Sequence, residues 1–241
     1  MDVPTHIAHV RIDTAALLDA YRTDPTAPVP SCPGWDRTAL LTHVAGAHAW
    51  IRTQLALGPS ERVRLSTIER PPDGDALPAW YEAGAADLIH RLETMDTSAT
   101  WPTWAGPQPG TFFPRRMAQE NAVHRWDADR TPIDPDLAVD GVDELLELFA
   151  PRLPADVLGG ATGTIHLHAT DVEDTAGEWL IGLTRDGIRS EHGHAKGDVA
   201  VRGRAGDLLL WTWNRVPPTD DRFQVFGDPS LLDVWRTSVT F

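Results

Sequence analysis

The sequence predicts an α+β protein in two parts: an up-and-down four-helix bundle over residues 1–132 and a smaller α+β domain over 133–241. Three observations predict it. Apolar residues recur at helical spacing through four segments of the first half. Short alternating runs, punctuated by Gly and Asp-Gly, replace them in the second half. The charge shifts at the same place, from 16 acids and 12 bases in residues 1–130 to 19 acids and 9 bases in 131–241.

Residues 4–23 read as a helix, with Ile7, Val10, Leu17, Leu18 and Tyr21 near a 3.6 period. The run SCPGW breaks the chain. Asp36 is placed to cap a second helix bearing Leu40, Leu41, Val44, Ile51 and Leu55. A polar connection with Pro71, Pro72 and Gly74 leads to a third helix over roughly 76–95. The segment 101–114, WPTWAGPQPGTFFP, is too rich in Pro and Gly for regular structure. Pro114 then opens a fourth helix that runs to about Arg130, which completes the bundle.

Beyond it, TPIDPDLAVDG reads as a linker and DELLELFAPRL as a short helix. GTIHLHATD alternates, with Ile165 and Leu167 on one face and His166 and His168 on the other. EWLIGLTRDGIRSEHG reads as two strands turning at Arg185-Asp186-Gly187, and GDVAVRG as a further strand. AGDLLLWTWNR and DPSLLDVWRTS read as helices, the first following Gly206 and the second capped by Asp228.

Composition excludes several classes of function. The formal net charge is −14, and neither half offers the basic surplus that phosphate binding requires, so no nucleic-acid partner is expected. No apolar run approaches the ~20 residues of a membrane span, so no membrane partner is expected either. The start, MDVPTHIAHV, lacks a basic segment followed by an apolar one, and the single cysteine, Cys32, has no partner for an internal disulfide. These features predict a cytoplasmic protein, a monomer or small homo-oligomer. Lys196 stands alone against twenty arginines, which fits a GC-rich genome more than a mechanism.

The chemistry concentrates in RRMAQENAVHRWDADR, 115–130. On a helix Glu120 and His124 are four apart and share a face, while Val123 and Trp126 serve another side. A carboxylate and an imidazole so spaced suit a zinc ion, and they equally suit a solvated polar pair. Asp127, a turn on, is placed to receive the other ring N–H of His124. A third ligand must come from another helix, and His43 in ALLTHVAGAHAWI is the candidate, the other reading being a partly buried structural histidine. Three protein ligands leave the open position of a catalytic site.

The remaining histidines offer less. His48 diverges from His43, and His6 and His9 fall on the surface near a helix end. His166 and His168 share a strand face that suits an exposed edge, a second metal site being the other reading there. His192-Gly193-His194 reads as a turn. Cys32 lacks a visible base and reads as packing.

CPGW (32–35), LLTHVAGAHAW (40–50) and the pattern R-x₃-E-x₃-H-x₂-D over Arg116, Glu120, His124 and Asp127 together resemble the mycothiol-dependent maleylpyruvate isomerase family. GDVAVRGRAGDLLLWTWNR and FQVFGDPSLLDVW are similar to its C-terminal domain, so the resemblance spans the chain. It implies a DinB-like metal-binding bundle followed by a sterol-carrier-like α+β domain. It implies that His43, Glu120 and His124 hold Zn²⁺ or another divalent metal. It also implies that mycothiol, a small thiol, is the cosubstrate, its sulfur taking the fourth metal position and its thiolate attacking a small electrophilic substrate. An isomerase expels the thiol again, whereas an S-transferase retains it. Asp127 and Arg215 are the candidate catalytic residues, with Arg116 and Arg125 as further cations for a dicarboxylate. Arg215 ends WTWNR, a run placed to face an interdomain cleft.

Two alternatives stand beside this reading. One is a non-catalytic binder of a small molecule or lipid with a structural or vestigial metal. The other is a metal hydrolase that uses activated water.

Overall fold

Asp2 Oδ1 accepts the Thr5 N–H at 2.9 Å and Asp36 Oδ1 the Ala39 N–H at 2.8 Å. These caps, each worth about 1 kcal/mol, start α1 (Val3–Thr23) and α2 (Arg37–Leu57). The computed structural model describes residues 1–240, with every side chain among them except those of Ala155 and Asp174. The chain divides into two units, Met1–Thr131 and the residues from Pro132 onward.

In the first unit α3 (Leu77–Thr94) and α4 (Phe112–Asp129) complete four helices. Helix α1 packs mainly on α4, and α2 mainly on α3. Of the apolar positions read from sequence, Val10, Leu17, Leu18, Leu40, Leu41, Val44 and Ile51 are almost fully removed from water, whereas Tyr21 and Leu55 are half-buried. Leu77 and Leu88 of α3 are buried with the first group. His6 is buried too, not on the surface.

Residues 101–114 are not irregular. Strands β1 (Thr100–Thr103) and β2 (Gly106–Pro109) form an antiparallel ribbon. Its prolines occupy register pairs of one parity, Thr100↔Pro109 and Pro102↔Pro107. Such a ladder alternates bonded and non-bonded pairs, so prolines confined to one parity remove no ladder bond.

The second unit begins with a helix where a linker was expected. Asp134 accepts the N–H groups of Asp136 and Leu137, and Pro135 follows it, so Asp-Pro is the start signal of α5 (Pro135–Glu144). A five-stranded sheet follows, comprising β3 (Gly163–Ala169), β4 (Glu178–Thr184), β5 (Gly187–His192), β6 (Val199–Gly203) and β7 (Gln224–Gly227). Its order is β5-β4-β3-β6-β7, with only β3 and β6 parallel. Ile165, Leu167, Trp179, Ile181, Val199 and Val201 form its buried face. Helix α6 (Ala205–Thr212) begins at Ala205, with Gly206 inside its first turn. Its Trp211 stacks on Trp235 of α7 (Ser230–Ser238). Ser230, the first residue of this last helix, donates its N–H to Asp228, but the N-cap position is Pro229 and not Asp228 as expected.

The sheet order corrects one expectation. β3 is the central strand, so His166 is 5% exposed and not at an edge.

Candidate metal centre

Residues 28–36 fold back on themselves through Val29 N–H to Trp35 O, Cys32 N–H to Val29 O and Trp35 N–H to Cys32 O. Gly34, at φ +85°, supplies the left-handed residue this turn needs. At the loop's far end the Arg37 guanidinium donates to the carbonyls of Ala20 and Ala128, in the last turns of α1 and α4. A cation there complements both helix dipoles and ties the start of α2 to the α4 terminus.

This arrangement brings His43 of α2 to the Glu120–His124 face of α4. His43 Nε2 and His124 Nε2 each lie 3.4 Å from Glu120 Oε1. The two imidazole rings are 4.9 Å apart, nearly perpendicular. One ligand atom from each residue falls within 4.8 Å of the others. The two 3.4 Å separations are long for hydrogen bonds. They match the edge of a tetrahedron whose centre lies roughly 2.0–2.1 Å from each ligand, which is roughly 3.3 Å. The donor set of two imidazoles and one carboxylate suits a divalent cation such as zinc. Among the described residues no fourth His, Cys, Asp or Glu joins the group.

The surroundings hold each donor. Asp127 Oδ2 lies 3.0 Å from His124 Nδ1, which fixes that nitrogen as the N–H and turns Nε2 towards Glu120. Asp127, wholly buried as a side chain, also accepts from Ser31 Oγ at 2.6 Å and faces Cys32 Sγ at 3.6 Å. Arg116 donates to Glu120 Oε2 at 3.0 Å, leaving Oε1 facing the histidines. The Trp35 ring lies 5.1 Å from that of His43. His43 is 45% exposed as a side chain, Glu120 19% and His124 8%, so the cluster opens to solvent on the His43 side.

Burial by itself raises the Glu120 carboxyl. His124, then His43 and Arg116, outweigh it and hold this group well below the usual carboxylate range. Burial likewise disfavours a charged His124, but Asp127 and Glu120 raise its imidazole to about 9. Without a cation, then, a proton neutralises the cluster.

The other predicted residues fall elsewhere. Arg125 donates to Asp13 Oδ1 at 2.9 Å and to the Thr131 carbonyl, buried between α4 and α1, so it serves packing and not a substrate. Arg116 is committed to Glu120. Arg215 belongs to the second unit, half-buried after α6, where it donates to the Trp213 carbonyl at 3.0 Å. His48 turns away from His43 to Asn121 Oδ1 at 3.0 Å. Ser31 joins the cluster through Asp127 without a local sequence signal of that contact, while Trp35 belongs to the compact CPGW turn. A cavity of about 240 Å³ near Trp50, Phe112 and Phe113 shares no residue with the cluster.

Comparisons with known proteins agree with one another. Residues 7–129 match the mycothiol maleylpyruvate isomerase N-terminal domain, and residues 136–233 the C-terminal domain of the same family. Among solved structures, one of the mycothiol-dependent maleylpyruvate isomerase aligns with a TM-score of 0.64 at 14% identity, over 93% of each chain. A histidine-to-alanine mutant of that enzyme aligns at 0.63 and 13%, again over 93% of each. No curated protein sequence is significantly similar. Among the described residues no helix is long and apolar enough to cross a membrane.

Proposed function

Because the chain belongs to the mycothiol maleylpyruvate isomerase family, we propose that it is a metal-containing, mycothiol-dependent enzyme, an isomerase or S-transferase acting on a small electrophilic substrate. The observation that carries this reading is the convergence of His43, Glu120 and His124, three donors with a solvent-facing side.

In this reading those three residues hold a divalent cation, zinc being the natural choice for the donor set. Bound there, the cation supplies positive charge that favours the thiolate form of mycothiol near neutral pH. Asp127 keeps the proton of His124 on Nδ1 and so presents the Nε2 lone pair. Arg116 keeps Glu120 ionised and oriented. The exposed edge at His43 admits thiol and substrate. For a cis-alkene such as maleylpyruvate, sulfur adds to the double bond and the new single bond rotates. Expulsion of the same thiolate then leaves the trans isomer, with no net change in atoms. Arg116 and Arg125 are committed to Glu120 and Asp13, so neither is proposed as the partner of a substrate carboxylate. The proposed reaction is cytoplasmic, with mycothiol acting as a nucleophile that is regenerated unchanged in the isomerase case.

Metal content and mycothiol-dependent turnover of His43→Ala and Glu120→Gln test the proposal. Each variant is expected to hold one equivalent of metal fewer per chain than the parent and to lose turnover. Parental metal content in both would overturn it.

A further inference from the structure

We propose that the C-terminal sheet carries a second site for a divalent cation of zinc type, formed by His166, Glu178 and His194. The three residues come from separate segments: β3, the first position of β4, and the loop between β5 and β6. Their ligand atoms lie within 4.8 Å of one another. His166 Nε2 is 3.0 Å and His194 Nδ1 2.6 Å from Glu178 Oε2.

Pairing and backbone geometry build the site. Register places His168 directly opposite Glu178, and His166 two residues away on the same face. Gly193 N–H bonds the Glu178 carbonyl at 3.1 Å, anchoring the loop that carries His194 beside the carboxylate. At the loop's other end Gly197 lies against β3. A Cβ there would sit 2.7 Å from the Val199 carbonyl oxygen and 2.9 Å from the His166 nitrogen, so only glycine lets the loop descend this far.

A hydrogen-bonded network is the competing account: His166 and His194 lie at hydrogen-bond distance from Glu178 Oε2, with His168 Nδ1 approaching at 3.3 Å. The convergence of three imidazoles on one carboxylate favours a cation, to which His166 and His194 turn lone pairs with Glu178 while His168 orients the carboxylate. Zinc stoichiometry decides between the two. Two imidazole nitrogens and a carboxylate oxygen suit zinc and its borderline neighbours, not calcium or magnesium. His194 is 76% exposed as a side chain and His166 only 7%, so the site has a fixed floor and an accessible lid. It lies wholly within the second unit and is independent of the bundle cluster.

The test is zinc stoichiometry by native mass spectrometry on the full chain. In a His43→Ala/Glu120→Gln background, which disables the bundle cluster, one zinc per chain is expected to remain. Adding His194→Ala, an exposed loop position whose loss leaves the fold intact, is expected to remove it. Absence of zinc from the first variant overturns the proposal, and so does its retention by the second.

Discussion

His124 is held from both ends: Nδ1 sits 3.0 Å from Asp127 Oδ2, and Nε2 faces Glu120 Oε1 at 3.4 Å. A ring so fixed has one tautomer available for a cation. Asp127→Asn weakens that restraint without emptying the ligand set. Zinc affinity is expected to fall about 10–100-fold while the circular dichroism spectrum is retained. Competition with a chromophoric chelator measures it, and an unchanged affinity would contradict the assigned role.

Without a cation the same ring carries a proton, since Asp127 and Glu120 together outweigh burial and raise it to about 9. Zinc must displace that proton. Affinity at the bundle cluster is therefore expected to rise about tenfold per pH unit as pH approaches about 9, where His124 deprotonates. Competition titrations in a His194→Ala background would report this cluster alone. A flat profile over that range would refute the linkage.

His48 behaves oppositely. It is 1% exposed, stacked on Tyr81, and burial lowers its imidazole to about 4. The folded pKa lies below the unfolded value, so its contribution is intact above roughly pH 6.5 and is lost as pH falls towards 4. The loss amounts to about 3 kcal/mol. Urea unfolding at pH 7 and 4.5 is expected to show a shallower acid loss for His48→Gln than for the parent, and equal losses would be inconsistent with this buried neutral ring.

The Asp13–Arg125 pair is buried on both sides, with side chains 5% and 7% exposed. Asp13→Ala removes one carboxylate partner of the buried Arg125 guanidinium, Asp129 remaining at 3.6 Å, and is expected to cost about 1.5–3 kcal/mol. If Arg125 instead met substrate, the variant would raise KM and leave the melting temperature unchanged.

How far the sequence revealed this molecule depends on the separation over which each feature acts. Glu120, His124 and Asp127 share one stretch of helix, so spacing alone placed them together. The α2 cap at Asp36, likewise local, is read directly. The ribbon at 100–109 was hidden because its prolines are harmless only in one register, and register is not visible before pairing. Asp134-Pro135 is a start signal, but it lies in a Pro- and Asp-rich stretch whose composition equally fits a linker. The contacts of Ser31 and Cys32 with Asp127 span about a hundred residues of chain, and no local pattern encodes them. Alternation alone cannot tell an edge strand from a central one, so the burial of His166 is invisible until tertiary pairing makes β3 central.

The central claim is that His43, Glu120 and His124 form a three-ligand metal centre at which mycothiol binds. Native mass spectrometry of the zinc-loaded His194→Ala chain titrated with mycothiol tests it most directly. The account predicts one zinc per chain and one mycothiol bound per zinc, with both lost together in the added presence of His43→Ala. Mycothiol bound equally well by the zinc-free chain, or none bound by the zinc-loaded one, would contradict it.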